Sequence, residues 1–137
     1  MIRAVIDTNV LVSGLISPSG YEALIILACH QGLVRPCFSE DIIAEYEGVL
    51  ARPKFAFPSD QIDALMVMLR DKGELVEPVG VSAASPDPGD TRFLSCASAA
   101  RADFLVTGNK RHFPDGLYGA TYVVSAGELL DHITAEI

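Results

Sequence analysis

The sequence predicts an α/β fold of three layers, a central parallel sheet with helices on both faces. Two observations lead there. Short β-branched or apolar runs (Val5-Ile6, Leu105-Val106, Val123-Val124) are too brief for helices and have no polar alternation, as expected of strands buried on both faces. Between them lie longer segments whose apolar residues recur at helical spacing, and strands alternating with helices are the pattern of a parallel sheet.

The first strand stops abruptly at Asp7, followed by Thr8, Asn9 and a helix whose apolar Leu11, Val12, Leu15 and Ile16 keep helical spacing. In open α/β sheets the crevice beyond the carboxyl ends of the strands is where ligands bind. Asp7 alone reads equally well as a helix N-cap. Pro18-Ser19-Gly20 marks a loop. A second helix, Tyr21 to Gln31, carries Leu24, Ile25, Leu27 and Ala28 and is ended by Gly32. Leu33 to Phe38 is the next strand, and Pro36 inside it implies an edge-like stretch.

Ser39 caps a third helix that runs to about Leu50, with Ile42, Ile43, Tyr46, Val49 and Leu50 as its core stripe. Glu45 borders that stripe instead of opposing it, which marks it out from solvated acids such as Glu40 and Glu47. Arg52 to Pro58 is a basic and aromatic turn. Ser59 or Asp60 then caps a helix with Ile62, Leu65, Met66, Met68 and Leu69 as packing residues. Glu74 to Glu77 reads as a short strand and Pro78 to Pro88 as a loop. Asp90 is a good N-cap for a helix from Thr91 to about Arg101. Phe104 to Thr107 is a buried strand ending in the polar loop Gly108 to Pro114. Tyr122 to Val124 is the last strand, and Ser125 caps the last helix through Leu130.

At 137 residues the chain is expected to form a single domain, residues 1–137, with a real core, in keeping with its 50% hydrophobic and 20% charged composition. No apolar run reaches the roughly 18 residues of a membrane span, and Asp7 interrupts any signal-peptide pattern, so a cytoplasmic protein is expected. Cys29, Cys37 and Cys96 are spaced for neither disulfides nor zinc and read as buried apolar residues. A formal net charge of −8 argues against a basic nucleic-acid coat protein. It leaves room for a nucleic-acid enzyme that works through bound cations.

Three polar clusters fall at strand ends or helix starts: Asp7-Thr8-Asn9, Asp87 to Asp90, and Thr107 to Lys110. If the strands ending at Ile6 and Val106 are neighbours, these clusters share one crevice, with Glu45 leaning in. Carboxylates so gathered repel one another unless a cation lies between them. Oxygen donors without Cys or His suit Mg²⁺ or Mn²⁺, ions that act on phosphoryl groups.

With these residues in view the sequence resembles the PIN-domain family, the fold of metal-dependent ribonucleases that includes VapC-like toxins of type II toxin–antitoxin pairs. The matching segments are Val5 to Gly14, Ser39 to Glu45, Asp87-Pro88-Gly89-Asp90 with Phe93-Leu94 and Cys96-Ala97, and Leu105 to Phe113. The resemblance implies Asp7, Glu45 and Asp90 as the acidic metal ligands and an Mg²⁺- or Mn²⁺-dependent endoribonuclease. Where the family often has a fourth Asp this chain has Asn109, which contributes no charge; Asp87 or Asp115 could compensate. Thr8, Asn9 and Thr107 would support the crevice. Lys110 and Arg111, with Arg52, Lys54 and Arg92, would take RNA phosphates. The expected partners are single-stranded RNA, a basic antitoxin protein and a second copy of the chain. Asn109 also motivates a different reading, a catalytically attenuated module that binds RNA or a protein. A haloacid-dehalogenase-type phosphotransferase is disfavoured because it needs an acid where Asn9 stands.

Overall fold

The structure, a computed structural model, describes residues 1–78 and 90–136. Strands β1 (Ile2–Ile6), β2 (Val34–Phe38), β3 (Glu74–Leu75), β4 (Phe104–Val106), β5 (Leu117–Tyr118) and β6 (Thr121–Val124) form one sheet in the order β3-β2-β1-β4-β6-β5. All neighbours are parallel except β5 and β6. Among the described residues the α-helices are α1 (Thr8–Ile16), α2 (Tyr21–His30), α3 (Glu40–Leu50), α4 (Ser59–Lys72), α5 (Thr91–Ala100) and α6 (Ala126–Glu136). Helix α5 packs across β1, β2 and β4; α2 packs between α4 and α6, and these three helices contact β2, β4 and β6. The result is the three-layer sandwich expected from the alternation of strands and helices.

The core is centred on β1, whose Ala4, Val5 and Ile6 are fully enclosed. Around it Phe38, Ile42, Ile43, Leu69, Phe93, Leu105 and Leu129 are equally buried, each worth about 2 kcal/mol of hydrophobic stabilisation. Cys29, Cys37 and Cys96 are free thiols in this core, as their spacing implied. Pro36 fits its strand because β3 pairs only with Cys37 and Phe38, leaving the start of β2 as an edge.

Several local expectations change. Leu24 and Leu27 point outward, 43% and 45% exposed, because α2 buries the stripe Ile25, Ala28 and Cys29 instead. Gly32 does end α2, at φ +80°, with Leu33 N–H bonded to the Ala28 carbonyl and Gly32 N–H to that of Cys29. Helix α4 takes Pro58, not Ser59 or Asp60, as its N-cap, since proline restricts its own φ and Ser59 is already helical. The strand at Glu74 stops after Leu75. The antiparallel pair β5–β6 was not foreseen; Gly119 at φ +60° opens its two-residue turn. Among the described residues no single helix is long and apolar enough to cross a membrane.

Ser125 caps α6 as expected, and Glu128 completes a reciprocal box. The Glu128 N–H donates to Ser125 Oγ at 3.1 Å, and the Ser125 N–H to Glu128 Oε1 at 2.8 Å. The helix itself continues to Glu136. An ion pair with Lys110 and the Ser125 N–H hold the Glu128 carboxyl down to about 2. A depressed acid adds stability that is present above its ordinary value of 4.5 and is lost as pH falls towards about 2. Glu128 is half exposed, so solvent screens most of the ion pair. Glu128→Ala is therefore expected to cost about 0.5–1 kcal/mol in urea unfolding at neutral pH. The difference should shrink steadily below the ordinary carboxylate range.

Candidate active site at the carboxyl edge of the sheet

Because β1, β2, β4 and β6 run parallel, their carboxyl ends share one edge, and the residues that follow them (Asp7, Ser39, Thr107 and Ser125) lie along it. Asp7 follows β1, and its N–H is fixed by the Val106 carbonyl of β4 at 2.8 Å. Its carboxylate makes no N-cap bond into α1. Oδ2 instead accepts from the Thr107 hydroxyl at 2.8 Å, in a site where Asp7 is only 6% exposed. Burial pushes this carboxyl up; the Thr107 hydroxyl and the Thr8 N–H oppose the shift, and Glu45 reinforces it as a like charge.

Glu45 reaches the same place from α3. Tyr46 anchors that helix: its buried hydroxyl donates to the Ile6 carbonyl at 2.5 Å, one residue before Asp7. Burial keeps this phenol far above its ordinary titration range, so it remains a donor. The Glu45 carboxylate accepts from the Thr8 hydroxyl and pairs with Arg92 at 3.3 Å. Asp90, at the start of α5, is buried; among the described residues its Oδ2 meets His112 Nδ1 at 2.9 Å, and the side chain does not cap α5. His112 also lies close enough to Asp7 to lower its carboxyl.

The third wall is the loop after β4. Asn9 Oδ1 accepts from Gly108 N–H at 3.2 Å, and the Asn109 N–H donates to Thr107 Oγ at 3.0 Å. Asn109 Oδ1 accepts from Arg111 N–H at 3.3 Å and so caps the 3-10 turn Lys110–His112. The structure thus brings Asp7, Thr8, Asn9, Glu45, Asp90 and Thr107 into one connected edge, with Asn109 holding its loop. Lys110 turns to Glu128 of α6, and Arg111 is exposed. Asp115 offers its N–H to the Tyr118 hydroxyl at 3.3 Å on the exposed loop before β5. Asp87 lies outside the described residues.

Sequence reasoning gave no role to His112 and saw Arg92 only as a phosphate contact. Arg92 is a counter-charge to Glu45, and His112 Nδ1 is a polar partner of Asp90. The signal for His112 was its place three residues beyond Asn109, one turn of a 3-10 helix. Beside Glu45 a groove of about 600 Å³ opens between α3 and the start of α5, lined by Asp41, Ala44, Glu45, Gly48, Val49, Arg52 and Arg92.

Whether a divalent cation suits this edge is a question of donor chemistry. Asp7, Glu45 and Asp90 offer carboxylate oxygens only, and the like-charge effect of Glu45 on Asp7 is a cost that a cation removes. The set fits a hard ion such as Mg²⁺ or Mn²⁺. Among the described residues no three acidic, His or Cys side chains stand in ligand geometry, because Glu45 is turned to Thr8 and Arg92, and Asp90 to His112.

An α/β/α sandwich with acids at the carboxyl edge of its central parallel strands places them where open α/β sheets bind ligands. The chain matches the PIN domain family over residues 3–111, from β1 through the 3-10 turn that carries His112's neighbours, and it belongs to that family. No curated protein and no solved structure matches it. PIN domains are generally nucleases and typically use divalent metals.

Proposed function

We propose that this chain is a divalent-metal-dependent endoribonuclease, with Asp7, Glu45 and Asp90 as the residues that would hold Mg²⁺ or Mn²⁺. The observation that carries the reading is the burial of Asp7 at the end of the central strand, hydrogen-bonded to Thr107 and pressed by the charge of Glu45. A carboxylate kept there at a cost to stability is the mark of a functional group. Bound at these acids, the cation supplies positive charge to a phosphodiester and acidifies water.

The protein's own groups do the rest. Thr107 fixes the Asp7 carboxylate, Tyr46 fixes α3, and Thr8 orients Glu45. Arg92 pairs with Glu45 and His112 Nδ1 meets Asp90 in this arrangement, and Arg92 is placed to take a substrate phosphate. A chain of net charge −8 repels RNA at long range, so local arginines must hold RNA against that field, and a bound ion would strengthen the hold.

In this reading residues 1–137 act as one PIN-like domain in the cytoplasm. The biological role is that of a VapC-like toxin, and the negative charge suits a basic antitoxin segment laid over the acidic edge. A homodimer is part of the same proposal. One observation favours a second reading, a module that binds RNA or a protein without cutting: the amide of Asn109 is spent on capping its own turn.

The test is cleavage of an end-labelled RNA pool by untagged protein in Mn²⁺, in Mg²⁺ and in EDTA. Cutting in either metal and none in EDTA is the expected result. Folded protein that binds RNA but leaves it intact in both metals would overturn the nuclease and favour the binding module.

A further inference from the structure

The groove beside Glu45 has a floor and a far end that the cleavage reaction does not use. Its floor is made by Ala44 and Gly48 of α3, and a Cβ built on Gly48 meets no atom within 4 Å. Asp41, Glu45, Gly48 and Arg52 succeed one another at helical spacing, so the groove follows the outer face of α3 to its C-terminal end. There Arg52 starts the 3-10 turn Pro53–Phe55, and the chain reverses at Ala56.

Ala56 sits at φ +53°, a left-handed conformation that an L-residue adopts at a cost of about 1 kcal/mol. This turn brings Phe55 and Phe57 side by side, their rings 5.4 Å apart and within 13° of parallel. The Lys54 ammonium stands 5.1 Å from the centre of the Phe55 ring. In a chain of net charge −8, Arg92 and Arg52 line this groove beside Asp41 and Glu45, and Lys54 follows two residues beyond Arg52 in the aromatic turn. Aromatic rings next to backbone-binding cations are how proteins hold single-stranded nucleic acid without reading its sequence.

We propose that this groove is the path of the RNA strand: Arg92 and Arg52 hold its phosphates, the small floor at Ala44 and Gly48 admits its riboses, and Phe55 stacks on a base. The inference rests on the ribonuclease reading and adds to it a strand direction, from the acids along α3 to the Arg52–Phe57 turn. Phe57 is partly buried against the core and holds the half-buried Phe55, stacked on it, at the end of the groove before RNA arrives.

The experiment compares Arg52→Ala, Phe55→Ala and Gly48→Trp with the wild type. Binding of fluorescein-labelled single-stranded oligoribonucleotides of about three and about twelve residues is followed by anisotropy in EDTA, and their cleavage in Mn²⁺. Gly48→Trp fills open space, so it tests the groove in a protein whose thermal unfolding stays normal. Each variant is expected to raise Kd for the longer RNA about tenfold, the loss growing with length and falling on KM more than on kcat. Wild-type affinity in all three variants, with the wild type still cutting RNA, would overturn the path and leave the nuclease standing. A wild type that neither binds nor cuts RNA would overturn both. A dimer that dissociates in Phe55→Ala with RNA affinity unchanged would give the aromatic turn to a second copy of the chain and overturn the proposal.

Discussion

Asp7→Asn is expected to abolish RNA cleavage and, in the same protein, to raise the temperature of unfolding. The two effects share a cause. The Asp7 carboxylate is buried at the end of β1, and the desolvation that pushes its carboxyl up is opposed by Thr107 and Thr8 but deepened by Glu45. An amide of the same shape keeps a carbonyl for the Thr107 hydroxyl and removes the buried charge and its repulsion. The gain should be about 1 kcal/mol at neutral pH, in the range common for relieving a functional site of its strain.

On the chemical side, a cation held at a phosphodiester is worth several kcal/mol of transition-state stabilisation, so losing a ligand should lower the cleavage rate by roughly a hundredfold to a thousandfold. Mn²⁺ supplies a further check: it should raise the unfolding temperature of the wild type and leave that of Asp7→Asn nearly unchanged. A variant that cuts at the wild-type rate would remove Asp7 from the reaction. One that loses stability would show that the carboxylate is structural.

Much of this site was legible in the chain because strand ends announce themselves. Asp7 and Thr107 each terminate a short apolar run, and the parallel pairing of β1 with β4 puts them in hydrogen-bonding contact. Glu45 was marked by its place beside the apolar stripe of α3, and it is part-buried among Thr8 and Arg92. What escaped was whatever depended on side-chain direction across elements. Tyr46 read as one more core residue, yet its hydroxyl ties α3 to the carbonyl before Asp7. Asp90 read as a cap and, through the resemblance, as a metal ligand, but its contact with His112, twenty-two positions away in sequence, was not foreseen. Leu24 and Leu27 could not be told from Ile25 and Ala28 in the sequence, because a helix rich in apolar residues has more than one stripe to offer, and packing against α4 and α6 chose the other. The β5–β6 hairpin escaped, although β6 was read as a strand, because β5 with its two residues is too short for a period to show.

Gly73→Ala should produce the largest loss of stability, about 3 kcal/mol. Gly73 follows α4 and leads into β3, with φ −106° and ψ −166°, an extended conformation open to any residue. Its demand for glycine is therefore one of space. An added Cβ would stand 2.3 Å from the Pro36 carbonyl oxygen, 2.6 Å from that of Leu69 and 2.7 Å from Phe38 Cε1. Two of these three atoms are backbone, so no rotamer change relieves the contact; β2 or α4 must move.

Gly48→Ala makes the opposite case within the same protein. A Cβ there meets nothing, and replacing a glycine inside α3 should add about 0.5–1 kcal/mol. Urea unfolding of the two variants separates packing from helix propensity, and equal effects of one sign would refute the spatial argument. The displacement also bears on function. Pro36 and Phe38 belong to β2, whose end passes through the Ser39 cap into α3, and α3 carries both Glu45 and the Tyr46 anchor. A shift of β2 is thus transmitted to the acid that must turn towards the ion. Gly73→Ala should lose part of its cleavage activity even at temperatures where it remains folded.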